Sequence, residues 1–187
     1  AGGPVCNLDT QIVVAESTTL SLSTGTTTEY PTPSEALAVI SGQGKTRLFR
    51  VEGELTLADI ILEKGMATVG GGIGAQSGGS VLLQSAVTVR TCTSTSYGGG
   101  IWLSGIGTSL KVAGRGTHVI VESNTAAIGA GLNLQLGASV MVEDGAVVEV
   151  KANIATNTGG GLMMQSEGSA FNVSGEHTRL TIANNKA

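Results

Sequence analysis

The 187-residue chain carries a formal charge of −4, with 41% hydrophobic residues but only 3% aromatics. Its ten Lys and Arg never form a run, so no basic groove for nucleic acid is expected. Its apolar stretches are a few residues long, far short of the roughly 20 that a spanning helix needs, so this segment is not expected to insert into a membrane. The length suits one domain with a continuous core of Val, Leu, Ile and Ala. The 29 Gly fall in clusters instead of at every third position, which excludes collagen and marks recurrent turns.

In chain order, residues 1–45 read as an N-terminal cap or irregular first coil with a protruding loop. Apolar segments lie at 11–15, 19–23 and 36–41, around a turn-prone stretch at 24–34. Residues 46–187 read as repeating coils. The stretch 46–51 fits a first strand, and 54–65 fits a second and third, with Leu55, Leu57, Ile60 and Leu62 inward.

From there the chain repeats itself. Glycine turns begin at Gly70, Gly98, Gly129 and Gly159, which are 28, 31 and 30 residues apart, and each turn runs into Ile or Leu. A second apolar segment led by Ser follows each turn: Ser80-Val81-Leu82-Leu83, Ser109-Leu110-Lys111-Val112, Ser139-Val140-Met141-Val142 and Ser169-Ala170-Phe171-Asn172-Val173. The last copy has one extra residue and predicts a bulge. A third segment alternates apolar and polar residues at Val87-Thr88-Val89, Val119-Ile120-Val121, Val148-Glu149-Val150 and Leu180-Thr181-Ile182. Such segments are too short to build hairpins with cores of their own, but equivalent segments of successive units can pair in parallel and close a tube. The expected fold is all-β, a right-handed single-stranded parallel β-helix with three short strands per coil of about 30 residues.

Stacking makes two further columns meaningful. Three residues after the last inward position of the third strand stand Gly65, Cys92, Asn124, Asn153 and Asn185, where Asn can bond both the turn backbone and its own copy in the next coil. Directly after that inward position stand Glu63, Arg90, Glu122 and Lys151, whose signs alternate as in-register pairing requires. The glycine turn follows the Asn position by five or six residues, so another is due just after Ala187. Further coils of the same polypeptide, or another subunit, are expected at that end. The start at Ala1 without Met suits a processed chain or a piece of a longer one.

Over residues 54–187 the alternation of a Gly-Gly-x-Ile/Leu turn with an apolar-x-x-Asn turn resembles the chlamydial polymorphic outer membrane protein repeat. The second motif is matched from Val121 to Asn124, Val150 to Asn153 and Ile182 to Asn185, with an aliphatic residue in the place of the family's Phe. The resemblance implies a β-helical module exposed on a cell surface and often adhesive.

Several residues invite chemistry. Asp9, Asp59 and Asp144 are the only Asp, and Glu143 and Asp144 adjoin in a turn, which reads as a solvated turn and not as the carboxylate pair of a polysaccharide-cleaving β-helix. His118 and His177 lie two coils apart, roughly 10 Å by stacking, too far to share a metal. No catalytic residue, metal or cofactor is expected. Cys6 and Cys92 leave a disulfide and a buried thiol both open. Alternation sends Gly74, Trp102, Asn133 and Met163 outward on the first strands, a candidate binding face for a protein or glycan partner unless a loop or domain covers it. Asn172-Val173-Ser174 is a glycosylation sequon on an outward position.

The leading expectation is a non-enzymatic structural or adhesive module of a cell-surface or extracellular protein, one able to form filaments. The first alternative is a carbohydrate-binding or polysaccharide-processing β-helix. The second is an ice-binding protein, although Thr88, Ile120, Glu149 and Thr181 make no uniform threonine array.

Overall fold

The computed structural model describes residues 3–23 and 37–187. The chain is all-β, a parallel solenoid of about 6 turns with about 30 residues per turn. Its six-stranded sheet stacks the first strand of every coil: β2 (Ile12–Val14), β5 (Phe49–Val51), β8 (Ile73–Gln76), β11 (Ile101–Ser104), β15 (Leu132–Gln135) and β19 (Leu162–Gln165). An 11-stranded sheet carries the second and third strands. The second strands are β3 (Thr19–Ser23), β12 (Ser109–Ala113), β16 (Ser139–Glu143) and β20 (Ala170–Val173). The third are β1 (Val5–Asn7), β4 (Ala38–Ser41), β13 (His118–Glu122), β17 (Val147–Lys151) and β21 (Arg179–Ala183). In two coils both merge into one long strand, β6 (Glu54–Glu63) and β9 (Ser80–Arg90).

A fourth short strand joins the three expected in four of the coils: β7 (Met66–Val69), β10 (Thr93–Tyr97), β14 (Thr125–Ile128) and β18 (Ile154–Thr158) form a four-stranded sheet of their own. It links the Asn turn to the glycine turn. Segments such as Thr93-Ser94-Thr95-Ser96-Tyr97 have no apolar alternation, and their pairing shifts register part-way along, so the period-two signal is absent from them.

The core follows from alternation. Leu55, Leu57, Ile60 and Leu62 are all buried and continue into the columns of Val81, Leu83, Val87 and Val89. The interior is apolar and filled, with a void of only about 10 Å³ among the central coils. Residues 12–23 and 38–41 are in register with the next coil, so the N-terminal stretch is a coil of the same stack. The loop expected at 24–34 lies outside the described residues.

The expected bulge in the last coil is absent. Ala170, Phe171, Asn172 and Val173 pair without a shift against Ser139, Val140, Met141 and Val142. The extra residue is Ser169, which falls in the turn before the strand. There its hydroxyl donates to the Gln165 carbonyl at 3.1 Å and accepts the Gly137 N–H of the preceding coil at 3.3 Å. Thr108 does the same between the Ser104 carbonyl and the Gly78 N–H. Hydroxyl-bearing turns thus tie consecutive coils together.

Candidate binding face

The first-strand sheet places the four proposed face residues in one file: Gly74 opposite Trp102, Trp102 opposite Asn133, and Asn133 opposite Met163. Their exposure differs from the expectation. Asn133 is 0% exposed, and Trp102 and Met163 are half-buried. Gly74 is buried because the Arg47 guanidinium lies over it, about where a β-carbon would point. Arg47 is fixed there by donating to the Val69 carbonyl at 2.7 Å and the Gly70 carbonyl at 3.1 Å. The file is therefore less open than alternation alone implies, with Arg47 over Gly74, Asn133 fully buried and only Trp102 and Met163 partly exposed.

Two consequences follow for its chemistry. The indole Nε1 of Trp102 donates to Gln135 Oε1 at 3.3 Å, and Gln135 Nε2 donates to Gln165 Oε1 at 2.7 Å, so amides rim the file. Beneath them, neither the Nδ2 nor the Oδ1 of Asn133 has a hydrogen-bond partner. An unpaired buried amide costs about 1–3 kcal/mol, and sequence reasoning had no signal for it.

The Asn column is built quite differently. Asn124 Oδ1 accepts the Cys92 N–H at 2.9 Å, Asn153 Oδ1 accepts the Asn124 N–H at 2.9 Å, and Asn185 Oδ1 accepts the Asn153 N–H at 2.9 Å. Each amide also donates to the carbonyl of Val89, Val121 or Val150 in the coil before. Asn124 and Asn153 are fully buried. The glycine turns are coupled to this ladder: a β-carbon on Gly100 or Gly131 would lie 2.9 Å from the Nδ2 of Asn124 or Asn153. The turns at Gly70, Gly98, Gly129 and Gly159 open with a left-handed backbone, φ 58, 59, 60 and 66. Repeated glycine and repeated Asn are thus two halves of one packing unit.

Glu63, Arg90, Glu122 and Lys151 stand in a single file. Arg90 Nη2 lies 2.7 Å from Glu63 Oε2, and Lys151 Nζ lies 3.9 Å from Glu122 and 2.7 Å from Glu149. Burial pushes the Glu63 carboxyl up, but hydrogen bonds and charge from Arg90, with a smaller share from Lys64, hold it below its ordinary value. Hydrogen bonds from Lys151 and then His118 lower the Glu149 carboxyl likewise.

The acids of the 143–144 turn do not converge. Glu143 pairs with Lys111, whose amine is raised by that contact. His118 meets Glu149 at 2.9 Å, and among the described residues no three His, Cys, Asp or Glu cluster. The disulfide is ruled out by position: Cys6 and Cys92 are free, one exposed and one buried, and three coils separate their columns, roughly 14 Å. Asn172 is exposed on the second-strand face, opposite Met141.

The last coil leaves apolar side chains uncovered. Met164, Val173 and Ile182 are 42%, 43% and 50% exposed, whereas Leu134, Val142 and Val150, one coil earlier in the same columns, are at most 1% exposed. No protein-family model, curated protein or solved structure matches the chain.

Proposed function

We propose that the chain is a structural or adhesive module of a cell-surface or extracellular assembly, a stiff rod whose last coil, β19, β20 and β21, docks against another subunit. One observation carries this reading: the columns closed by Leu134, Val142 and Val150 continue into exposed Met164, Val173 and Ile182 on strands with an unpaired edge. An edge of this kind is a template for more parallel strand. The surface setting is supported by the resemblance of the coupled Gly and Asn turns to the chlamydial polymorphic outer membrane protein repeat. Partners are accordingly protein or glycan, and Asn172 is open to a glycan in a secretory pathway.

Sedimentation velocity over a range of concentrations tests the reading. The chain should associate, and the double variant Val173→Asp/Ile182→Asp should stay a single species with an unchanged unfolding midpoint. A wild-type chain that remains monomeric throughout would refute it.

A further inference from the structure

The Asn133 carboxamide points to a saccharide site. It is 0% exposed, both of its polar atoms lack a partner, and it sits on the outward side of the first-strand sheet, not in the apolar core. Its side chain leans on the Gly129 turn, where a β-carbon would lie 2.8 Å from its Nδ2. Trp102 and Met163 flank it in the neighbouring coils. The Asn124, Asn153 and Asn185 ladder uses every polar atom it buries, so the idle amide of Asn133 has no counterpart among the described residues.

We propose that Trp102 is a movable cover and that Asn133, once uncovered, binds a neutral pyranose ring together with the indole and the Gln135 and Gln165 amides. Trp102 is half-buried and tethered by one long bond, 3.3 Å to Gln135. Turning the indole aside frees an acceptor and a donor on one planar amide. Adjacent ring hydroxyls, each both donor and acceptor, match that pair, and the apolar face of the ring matches the indole. The other amides at the rim are uncharged. The guanidinium of Arg47 is already committed to the Val69 and Gly70 carbonyls, so the site does not select an anion. A peptide is disfavoured because the central strands of this sheet are hydrogen-bonded on both sides and offer it no edge.

This deepens the adhesive side of the proposed function and is independent of assembly at the last coil, so sugar titration and sedimentation fail separately. Trp102 is the chain's single Trp, so its emission reports the site directly. Cellohexaose, laminarihexaose and chitohexaose are titrated against the intact chain at millimolar concentrations. At least one should give a saturable change in emission, weakened about tenfold by Asn133→Leu and several-fold by Gln135→Ala. Asn133→Leu should also unfold at a higher temperature, because the leucine removes an unpaired amide. Absence of a saturable change with all three sugars, undiminished binding by Asn133→Leu, or a lower unfolding temperature for that variant would each overturn the proposal.

Discussion

Asn153 Oδ1 accepts both the backbone N–H of Asn124 at 2.9 Å and its side-chain Nδ2–H at 3.0 Å, so one carboxamide oxygen bridges two coils at full burial. Asn153→Ala removes that acceptor and leaves the Val121 carbonyl without its donor. The expected loss is about 4 kcal/mol in urea unfolding. Asn185→Ala should cost about half as much, since Asn185 makes equivalent bonds in a partly exposed coil. Equal losses would show that burial does not set the strength of the ladder.

Gly131 needs its hydrogen for a reason other than backbone angle. A β-carbon there would strike the Gly161 carbonyl and lie 2.8 Å from Val150 Cγ1 and 2.9 Å from Asn153 Nδ2. Gly131→Ala should destabilise by about 3 kcal/mol. Gly44→Ala, at φ +70 with open space around it, should lose only about 1 kcal/mol. Melting temperatures of the two variants decide whether close packing or backbone conformation dominates.

Cys92 occupies the Asn column one coil before Asn124. Burial pushes its thiol up to about 12, although the Gly65 N–H bonds to the sulfur. At neutral pH a colorimetric thiol reagent should therefore count only Cys6 in the folded chain and both cysteines after unfolding. Cys92→Asn should stabilise by about 1 kcal/mol, because the carboxamide oxygen is a better acceptor for Gly65 and the amide extends the ladder. A destabilised variant would mean that this coil does not share the geometry of its neighbours.

The file of charges is legible in acid. The Glu63 carboxyl is held below its ordinary value of 4.5, so its contribution is complete above that value and is lost as the pH falls through the lowered one. Glu63→Gln should lower stability by less than about 1 kcal/mol at neutral pH, and this difference from wild type should shrink as the pH falls below the ordinary carboxyl value, because wild type progressively loses the same interaction. Parallel curves for the two proteins from neutral to acid pH would sink the assignment.

The parts of this structure legible in the sequence are those fixed by stacking itself. Glu63, Arg90, Glu122 and Lys151 alternate because each faces its copy, and Leu55, Leu57, Ile60 and Leu62 mark the inside because a strand has period two. The fourth strand was hidden because Thr93 to Tyr97 buries too little apolar surface to show a period. Ser169 looked like an inserted strand residue because its place in the turn depends on a hydroxyl bridging two coils. The exposure of Asn133 was unreadable for another reason: alternation tells which way a side chain leaves the sheet, but not whether neighbouring side chains leave it open to solvent.

The coupling of Gly131 to Asn153, and of Gly100 to Asn124, makes the whole coil the natural unit of change in this protein. Insertions that a turn cannot absorb, as the turn at Ser169 does, would part a glycine from its amide. Duplication of one complete period would instead keep the two together and lengthen the rod by about 4.8 Å, at the cost of one like-charge neighbour in the file of charges. Reach can thus be adjusted in fixed increments, with local energetics left almost untouched.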